Sequence, residues 1–478
     1  MLMSSLYTLH FPNIEGPQRT DRDLPSPKSP VGSALSGLAG KAAGLFLAHD
    51  KKPGIQSPKL ISSYQGSIDE LLFMLPERVF RSNDHITYRT ILNELPVGTR
   101  FVVAAHESVS SEATALFNDT GHAKNTQLIQ IPTDVSFTDW AEDAFLGVHD
   151  AVGGRKHLLE PFYFWRQGDA LVADYVEDVT EIRATPSPLV FQGGNCLVGD
   201  TFWLMGEDYF ADTCQLLQDE RPPVLLPNHP DINSADVVSL FKKHVDSDRD
   251  LIRVWTDKEP LPSSRRNVAV FEDGKFYLDY PFRGIGRYQP IFHIDMFLTL
   301  VGRPAPDAPF KLMVGSPQLA ADVAEIPLSP YSLQSVFDNV ADNLCAQGFD
   351  VIRNPLPVVC VTDAPVTLAQ LKEQRLATEV LADFIALGAS EDTRIIPRDW
   401  YHASANNCLV QASQKKGNHV YLPTFGNSEY PELAKVDARM TDLWSEQGFA
   451  VHPLGDFHAF ARRQGVVHCI KKYLARGA

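Results

Sequence analysis

Gly194-Asn-Cys-Leu-Val198 returns further along the chain as Asn406-Asn-Cys-Leu-Val410. A second echo pairs Leu344-Cys-Ala-Gln-Gly-Phe-Asp-Val351 with Leu443-Trp-Ser-Glu-Gln-Gly-Phe-Ala-Val451. Each member of this second pair reads as a helix end, a glycine cap and the start of a strand. Self-similarity inside one chain is the signature of a repeated structural unit. Both echoes are short and coincidence is the alternative, but together they favour a strand-helix module used more than once. The segments between them agree. Arg100-Phe-Val-Val-Ala-Ala105 and Gln127-Leu-Ile-Gln-Ile-Pro132 are rich in strand-forming residues, and Leu189-Val-Phe191 leads as a strand into Gly193-Gly194. Helical periodicity runs over Ala235 to His244, Leu333 to Gly348 and Pro431 to Gly448, the last two stopped by glycine. The expected class is alternating α/β.

Composition narrows the function. The 478 residues carry a formal charge of -16, which argues against nucleic acid or an anionic membrane surface as a partner, since both demand a basic face. Cationic substrates suit the charge better. Six cysteines, at 196, 214, 345, 360, 408 and 469, occur singly with no C-x-x-C pair, which argues against a zinc site or a secreted disulfide framework. The first residues lack the basic start and continuous apolar core of an export signal, so a cytoplasmic location is expected. Ser33 to Ala48 is apolar but short, and Lys41 interrupts it, so no membrane span is expected there. Its Gly40 and Gly44 fit a G-x-x-x-G spacing, for which a helical hairpin or a linker is the simpler reading. Prolines 25, 27, 30, 53 and 58 flank this stretch among serines and glycines. Residues 1–66 therefore read as an N-terminal extension, flexible or helical, ahead of a main domain over 67–478.

Chemistry concentrates at two places. In Phe292-His293-Ile294-Asp295-Met296-Phe297, an extended backbone puts His293 and Asp295 on one face, because side chains two apart in a strand point the same way. In Val466-Val467-His468-Cys469 the same rule sends His468 and Cys469 to opposite faces, leaving His293 as the better partner for the thiol. A distant imidazole beside a cysteine is an arrangement that generates a thiolate, since an unperturbed thiol ionises at about 8.5. Taken alone, each feature has a plainer reading. Cys469 reads as a small buried hydrophobe, His293 and Asp295 as a hydrogen-bonded structural pair, and Trp140-Ala-Glu-Asp143 as an acidic surface loop. Gln192-Gly-Gly-Asn195 reads as a tight turn with glycines at positive φ.

In combination, these elements resemble the pentein, or guanidine-modifying, superfamily, and most closely the catalytic domain of protein-arginine deiminases. Agmatine deiminases are more distant. The resemblance starts near residue 95. Its strongest segment is His293-Ile-Asp-Met-Phe-Leu-Thr-Leu-Val301 continuing to Phe310-Lys-Leu-Met-Val-Gly-Ser-Pro317. Asn407-Cys-Leu-Val410, Pro423-Thr-Phe-Gly426 and Gly465-Val-Val-His-Cys469 follow in the family's order, and Trp140-Ala-Glu-Asp143 matches the W-x-x-D element ahead of them.

The resemblance implies a five-bladed α/β propeller of ββαβ-type modules around a central site. It also implies Cys469 as nucleophile, His293 as general acid and base, and Asp143 and Asp295 as the carboxylates that grip a guanidinium. Trp140, Gly193, Gly194 and Asn195 would line the substrate. The implied activity is hydrolysis of peptidyl-arginine to peptidyl-citrulline through a covalent thiouronium. The alternatives are a deiminase or dihydrolase of free arginine or agmatine, an amidinotransferase, and a pentein that only binds partners. No cofactor or metal is expected. The calcium-dependent animal deiminases carry carboxylates where this chain has Ala144 and Leu146, which offer no side-chain oxygen to a hard cation.

Overall fold

The computed structural model describes residues 54–162, 164–219, 233–260, 267–281 and 284–477. One pattern organises them: two antiparallel strands, a helical crossover, and a third strand parallel to the second. The first module has strands Leu146–Asp150 and Lys156–Glu160, helix Gln167–Val179 and strand Arg183–Pro186. The second has Cys196–Val198, Phe202–Gly206, helices Glu207–Asp219 and Ser234–His244, and Asp250–Val254. The third has Leu298–Gly302, Lys311–Ser316, helices Pro317–Ala324 and Gln334–Ala346, and Asp350–Pro355. The fourth has Leu409–Ser413, Gly417–Thr424, helix Leu433–Glu446 and Ala450–Asp456.

The fifth is built from both ends of the described chain. Strand Lys471–Gly477 pairs antiparallel with Ser67–Leu75, which runs parallel to Arg100–His106, and Thr126–Ile131 extends the sheet. Parallel strands are covered on both faces, so their sequences read as continuous apolar runs. Leu71 to Leu75 and Phe101 to Ala105 are accordingly buried without alternation. Between them, helix His85–Glu94 buries Tyr88, Ile91 and Leu92, the one-sided spacing of a covering helix.

Both sequence echoes fall at equivalent places in this repeat. Cys196–Val198 and Leu409–Ser413 are first strands of the second and fourth modules, and the Gly348 and Gly448 caps join last helix to third strand in the third and fourth. Both glycines have positive φ, 93° and 81°, as helix caps do.

A further sheet stands outside the repeat. Strands Val268–Glu272, Lys275–Pro281, Arg394–His402 and Val358–Thr362 form it, with Val366–Thr367 attached. It has its own apolar cluster of Leu278, Leu368, Leu371, Val380, Phe384, Ala389 and Ile395.

Two expectations need correction. Leu189-Val-Phe191 is not a strand. It is a buried loop whose Val190 N–H donates to the Thr213 hydroxyl at 3.0 Å and whose Val190 carbonyl accepts from it at 2.9 Å. Its apolar run reflects burial without sheet pairing. Nor does the N-terminal extension end at residue 66, because strand Pro58–Leu60 pairs with Leu146–Asp150 and Leu60 and Tyr64 are buried. The stretch from Ser33 to Ala48 lies outside the described residues. Among those described, no helix is long and apolar enough to cross a membrane.

The shared sheet of the two chain ends sets a stability test. Phe73 is fully buried in its central strand, edge-on to Tyr88 at 5.4 Å and stacked on Phe101 at 5.7 Å between ring centroids. Phe73→Ala should cost about 3–5 kcal/mol, seen as a lowered urea midpoint. An unchanged midpoint would contradict this packing.

Candidate active site

The side chains singled out above sit in the turns that precede the first strand of each module. Asp143 stands ahead of Leu146–Asp150, Asn195 ahead of Cys196–Val198, and Asp295 ahead of Leu298–Gly302. Asn407 precedes Leu409–Ser413, and Cys469 precedes Lys471–Gly477. The repeat thus delivers one polar or nucleophilic turn per module. All five of these residues are buried, at 0–4% exposure.

Cys469 lies in a turn, not in a strand, so strand parity does not separate it from His468. Nδ1 of His468 and Oδ2 of Asp295 are 2.8 Å apart, and the Cys469 thiol is 3.6 Å from the same oxygen. Asn407 fixes this turn. Its Oδ1 accepts the main-chain N–H groups of His468 and Cys469 at 2.8 and 3.2 Å, and its Nδ2 donates to Cys469 Sγ at 3.1 Å.

His293 keeps an extended backbone, but Ile294–Met296 is a 3₁₀ turn, which advances about 120° per residue instead of alternating. His293 and Asp295 therefore do not share a strand face. Nε2 of His293 pairs with Gln192 Oε1 at 2.8 Å, and its Nδ1 is 3.6 Å from Asp143 Oδ1. Each aspartate thus has an imidazole beside it, His293 at Asp143 and His468 at Asp295.

Oδ2 of Asp143 accepts from Arg166 at 2.7 Å, and Arg166 is anchored in turn by Asp169 at 2.6 Å. One oxygen of each aspartate, Oδ1 in both cases, is buried with no hydrogen-bond partner. Buried polar atoms are normally paired, so two orphaned carboxylate oxygens beside a thiol mark places for donors the protein does not supply.

The segment that taken alone reads as an acidic surface loop is interior: Trp140, Glu142 and Asp143 are 7%, 6% and 4% exposed. Glu142 takes Lys471 Nζ at 2.7 Å and Lys472 Nζ at 2.8 Å, while its main-chain N–H donates to the Cys469 carbonyl at 3.0 Å. This ties the Asp143 turn to the Cys469 turn. Trp140 packs against Gly465, where a β-carbon would fall 2.3 Å from the indole.

Gly193 and Gly194 are required for space, not for positive φ, which neither adopts. A β-carbon on Gly193 would lie 1.9 Å from the Glu142 carbonyl, and one on Gly194 would lie 2.6 Å from His293 Nδ1. Asn195 braces the same turn, since its Oδ1 accepts from Gln289 at 2.9 Å and from the Ile294 N–H at 3.2 Å.

Burial dominates the electrostatics. It carries His293 down to about 4 against the opposing pull of Asp143. Burial, with Asp143 and Glu142, holds Asp295 well above the usual carboxyl range. Burial, Asp295 and Asp143 push the Cys469 thiol up. Burial also lowers Lys471 to about 8, whereas Glu142 is brought down to about 2 because its two lysines outweigh the burial penalty. These shifts favour the neutral forms of the Cys469 thiol and the His293 imidazole. Among the described residues no group of three or more His, Cys, Asp or Glu side chains is placed to hold a metal ion.

Sequence reasoning missed Arg166, the Lys471–Glu142–Lys472 group and the contact of His468 with Asp295. Asn407 and Gln192 stood inside quoted motifs without a role. The repeat itself was the signal for Asn407, which occupies the position in its module that Cys469 occupies in the fifth.

No family model matches the chain, and no curated protein matches it by sequence. Solved structures do. An X-ray structure of a provisionally named agmatine deiminase superposes with a TM-score of 0.53 at 13% identity, covering 89% of this chain and 98% of that one. The agmatine deiminase of Enterococcus faecalis superposes with a TM-score of 0.51 at 11% identity, covering 88% and 97%. The chain shares the fold of these two agmatine deiminases. These two neighbours are agmatine deiminases, where the sequence elements had pointed first to protein-arginine deiminases.

Two substitutions test the geometry. Gly194→Ala should displace His293 and remove most of its contribution, with an overpacking cost of about 1–3 kcal/mol in stability, measured by parallel activity and denaturation assays. Gln192→Glu puts a carboxylate where a neutral amide now faces Nε2. An opposite charge at this range raises an imidazole pKa by about 1–3 pH units. NMR titration should find His293 moved up from about 4 by that amount; an unmoved resonance would contradict the contact.

Proposed function

We propose that this protein is a cysteine-dependent hydrolase of a guanidino group, acting on a small free substrate of the agmatine or arginine kind. The observation that carries the reading is the pair of buried, unpartnered Oδ1 atoms on Asp143 and Asp295, the second on a carboxyl whose other oxygen lies 3.6 Å from the Cys469 sulfur. A guanidinium is a planar cation with five N–H donors, and two carboxylates satisfy it by charge-assisted hydrogen bonds while fixing its carbon for attack. The preference for a small substrate draws on the agmatine deiminases that share the fold. Peptidyl-arginine is the second reading, supported by the ordered elements from Trp140-Ala-Glu-Asp143 to Val467-His468-Cys469. We also propose that the five modules surround the site as the blades of a propeller.

In this mechanism the arriving cation reverses the local electrostatics of the site. Its positive charge offsets the carboxylates that hold the thiol protonated, and Cys469 passes its proton to His293. Sγ bonds to the guanidinium carbon, the C–N bond breaks, and ammonia leaves with the proton from His293. The product of this step is a covalent thiouronium. His293, again neutral, takes a proton from water as the water oxygen bonds to the same carbon. The C–S bond then breaks as the adduct's hydroxyl gives its proton to solvent and becomes the ureido carbonyl, and His293 returns its proton to the Cys469 sulfur. Lys471, Lys472 and Glu142 hold the two turns in register, and Gln192 orients His293.

The test offers agmatine, arginine and an arginine-containing peptide and measures ureido product and ammonia, with and without an added amine acceptor. Turnover of agmatine or arginine, abolished in Cys469→Ser, is expected. No turnover of any of the three, or turnover unchanged by Cys469→Ser, sinks the proposal. Transfer to the amine in place of hydrolysis identifies an amidinotransferase. Asp143→Asn and Asp295→Asn should each lower kcat/KM by about 10–150-fold, the loss expected for one charge-assisted hydrogen bond.

The free protein also has a pH signature. With the thiol held above its ordinary value, alkylation of Cys469 by neutral iodoacetamide should keep rising with pH through about 9. A plateau near neutrality would show a preformed thiolate and contradict the cation-triggered step.

A further inference from the structure

The geometry points to His468 as a positioning residue that holds the Asp295 carboxyl in the orientation needed to receive a guanidinium. This rests on the guanidino reading above and adds to it a residue outside the Cys469, His293, Asp143 and Asp295 set.

The imidazole is interior, 4% exposed, in the turn that carries Cys469. Its main chain is fixed independently of its ring, by Asn407 Oδ1 at 2.8 Å. The ring makes one polar contact, Nδ1 to Asp295 Oδ2 at 2.8 Å, and packs edge-on to Tyr473 at 6.0 Å. Nε2 is buried without a partner. A histidine kept only for packing would ordinarily satisfy both nitrogens or be replaced by an apolar side chain, so the single contact to Asp295 is what the ring supplies.

That contact has a geometric consequence. Asp295 has two oxygens, and Oδ2 is engaged by His468 and lies 3.6 Å from the Cys469 sulfur. Oδ1 has no partner. Fixing Oδ2 fixes the plane of the carboxyl, and so aims Oδ1. Without the Nδ1 contact the carboxyl is free to turn about its terminal torsion, a broad and soft rotation for Asp. Lys471 is the nearby cation that acts on Asp295, and the carboxyl would turn toward it and away from an incoming guanidinium. The contact holds whichever of the two groups carries the shared proton. The charged groups that act on this ring, Lys471, Glu142, Lys472 and Arg476, come from strand Lys471–Gly477 and the turn before Leu146–Asp150.

The role separates recognition of a cationic planar group from reactivity of the thiol, and two alkylating probes read these apart. A haloacetamidine carries a guanidinium-like cation and needs Asp295; iodoacetamide is neutral and reports the thiol. Inactivation rates with both are measured on the full chain as wild type, His468→Leu, His468→Asn and Asp295→Asn. Asn places a side-chain N–H donor close to the position of Nδ1. The expected result is a wild-type preference for the amidine that falls about 10-fold or more in His468→Leu and is largely recovered in His468→Asn, with iodoacetamide rates little changed.

An unaltered preference in His468→Leu overturns the assignment. So does equal slowing with both reagents, which is the mark of a purely structural residue. If the leucine variant does not fold, His468→Ala against His468→Asn makes the same comparison. A wild type with no amidine preference, or a preference untouched by Asp295→Asn, removes the guanidino reading itself and this proposal with it.

Discussion

Two carboxyl groups buried beside a thiol are the constraint on which the rest of this site depends. Removing a carboxylate from water costs several kcal/mol unless hydrogen bonds and opposite charge replace the solvent. The fold answers that cost with a specific partner for each group. Arg166 takes one oxygen of Asp143 and His293 faces the other; His468 takes one oxygen of Asp295. Lys471 and Lys472 add positive charge through Glu142, which sits in sequence beside Asp143. The compensation is incomplete, since an oxygen on each aspartate stays unpaired and Asp295 is held toward its protonated form. An interior left short of one cation is suited to receive one.

The same shortage couples binding to reactivity in the proposed reaction. Burial favours the neutral forms of both the Cys469 thiol and the His293 imidazole, so the free protein holds no preformed thiolate in this reading. A cation between the carboxylates reverses the sign of the local potential, which favours the thiolate only when a substrate is present. A neutral resting thiol also reacts more slowly with oxidants and stray electrophiles, because the thiolate is the reactive form.

Repetition explains how residues so far apart in sequence meet. Each module begins with a turn leading into a strand, and these turns bring Asp143, Asn195, Asp295, Asn407 and Cys469 into the interior. The fifth module joins the two ends of the described chain, so Cys469 is held by a sheet whose central strand is Ser67–Leu75. The arrangement also explains why the parity argument failed. Alternation describes side chains within a continuous strand, whereas His293 to Asp295 and His468 to Cys469 lie in turns just outside one. The residue types in the quoted motifs were legible because nucleophile, imidazole and carboxylates are local words in the chain. The role of Gln192 was not, since it depends on a histidine 101 residues away.

The sequence by itself determined the α/β class, the existence of a repeat and the inventory of reactive groups, because periodicity, glycine caps and short motifs are properties of neighbouring residues. It also determined helices such as Ser234–His244 and strands such as Arg100–His106, whose apolar spacing declares them. Only the tertiary structure decided that Asp143 shares its carboxyl with Arg166, that His468 belongs to Asp295, and that the glycines at 193 and 194 clear space for Glu142 and His293. It likewise decided the protonation of the thiol and the imidazole. The physical reason is that desolvation and Coulomb energies depend on burial and on separations of a few ångströms, and here both are set by elements drawn from different modules.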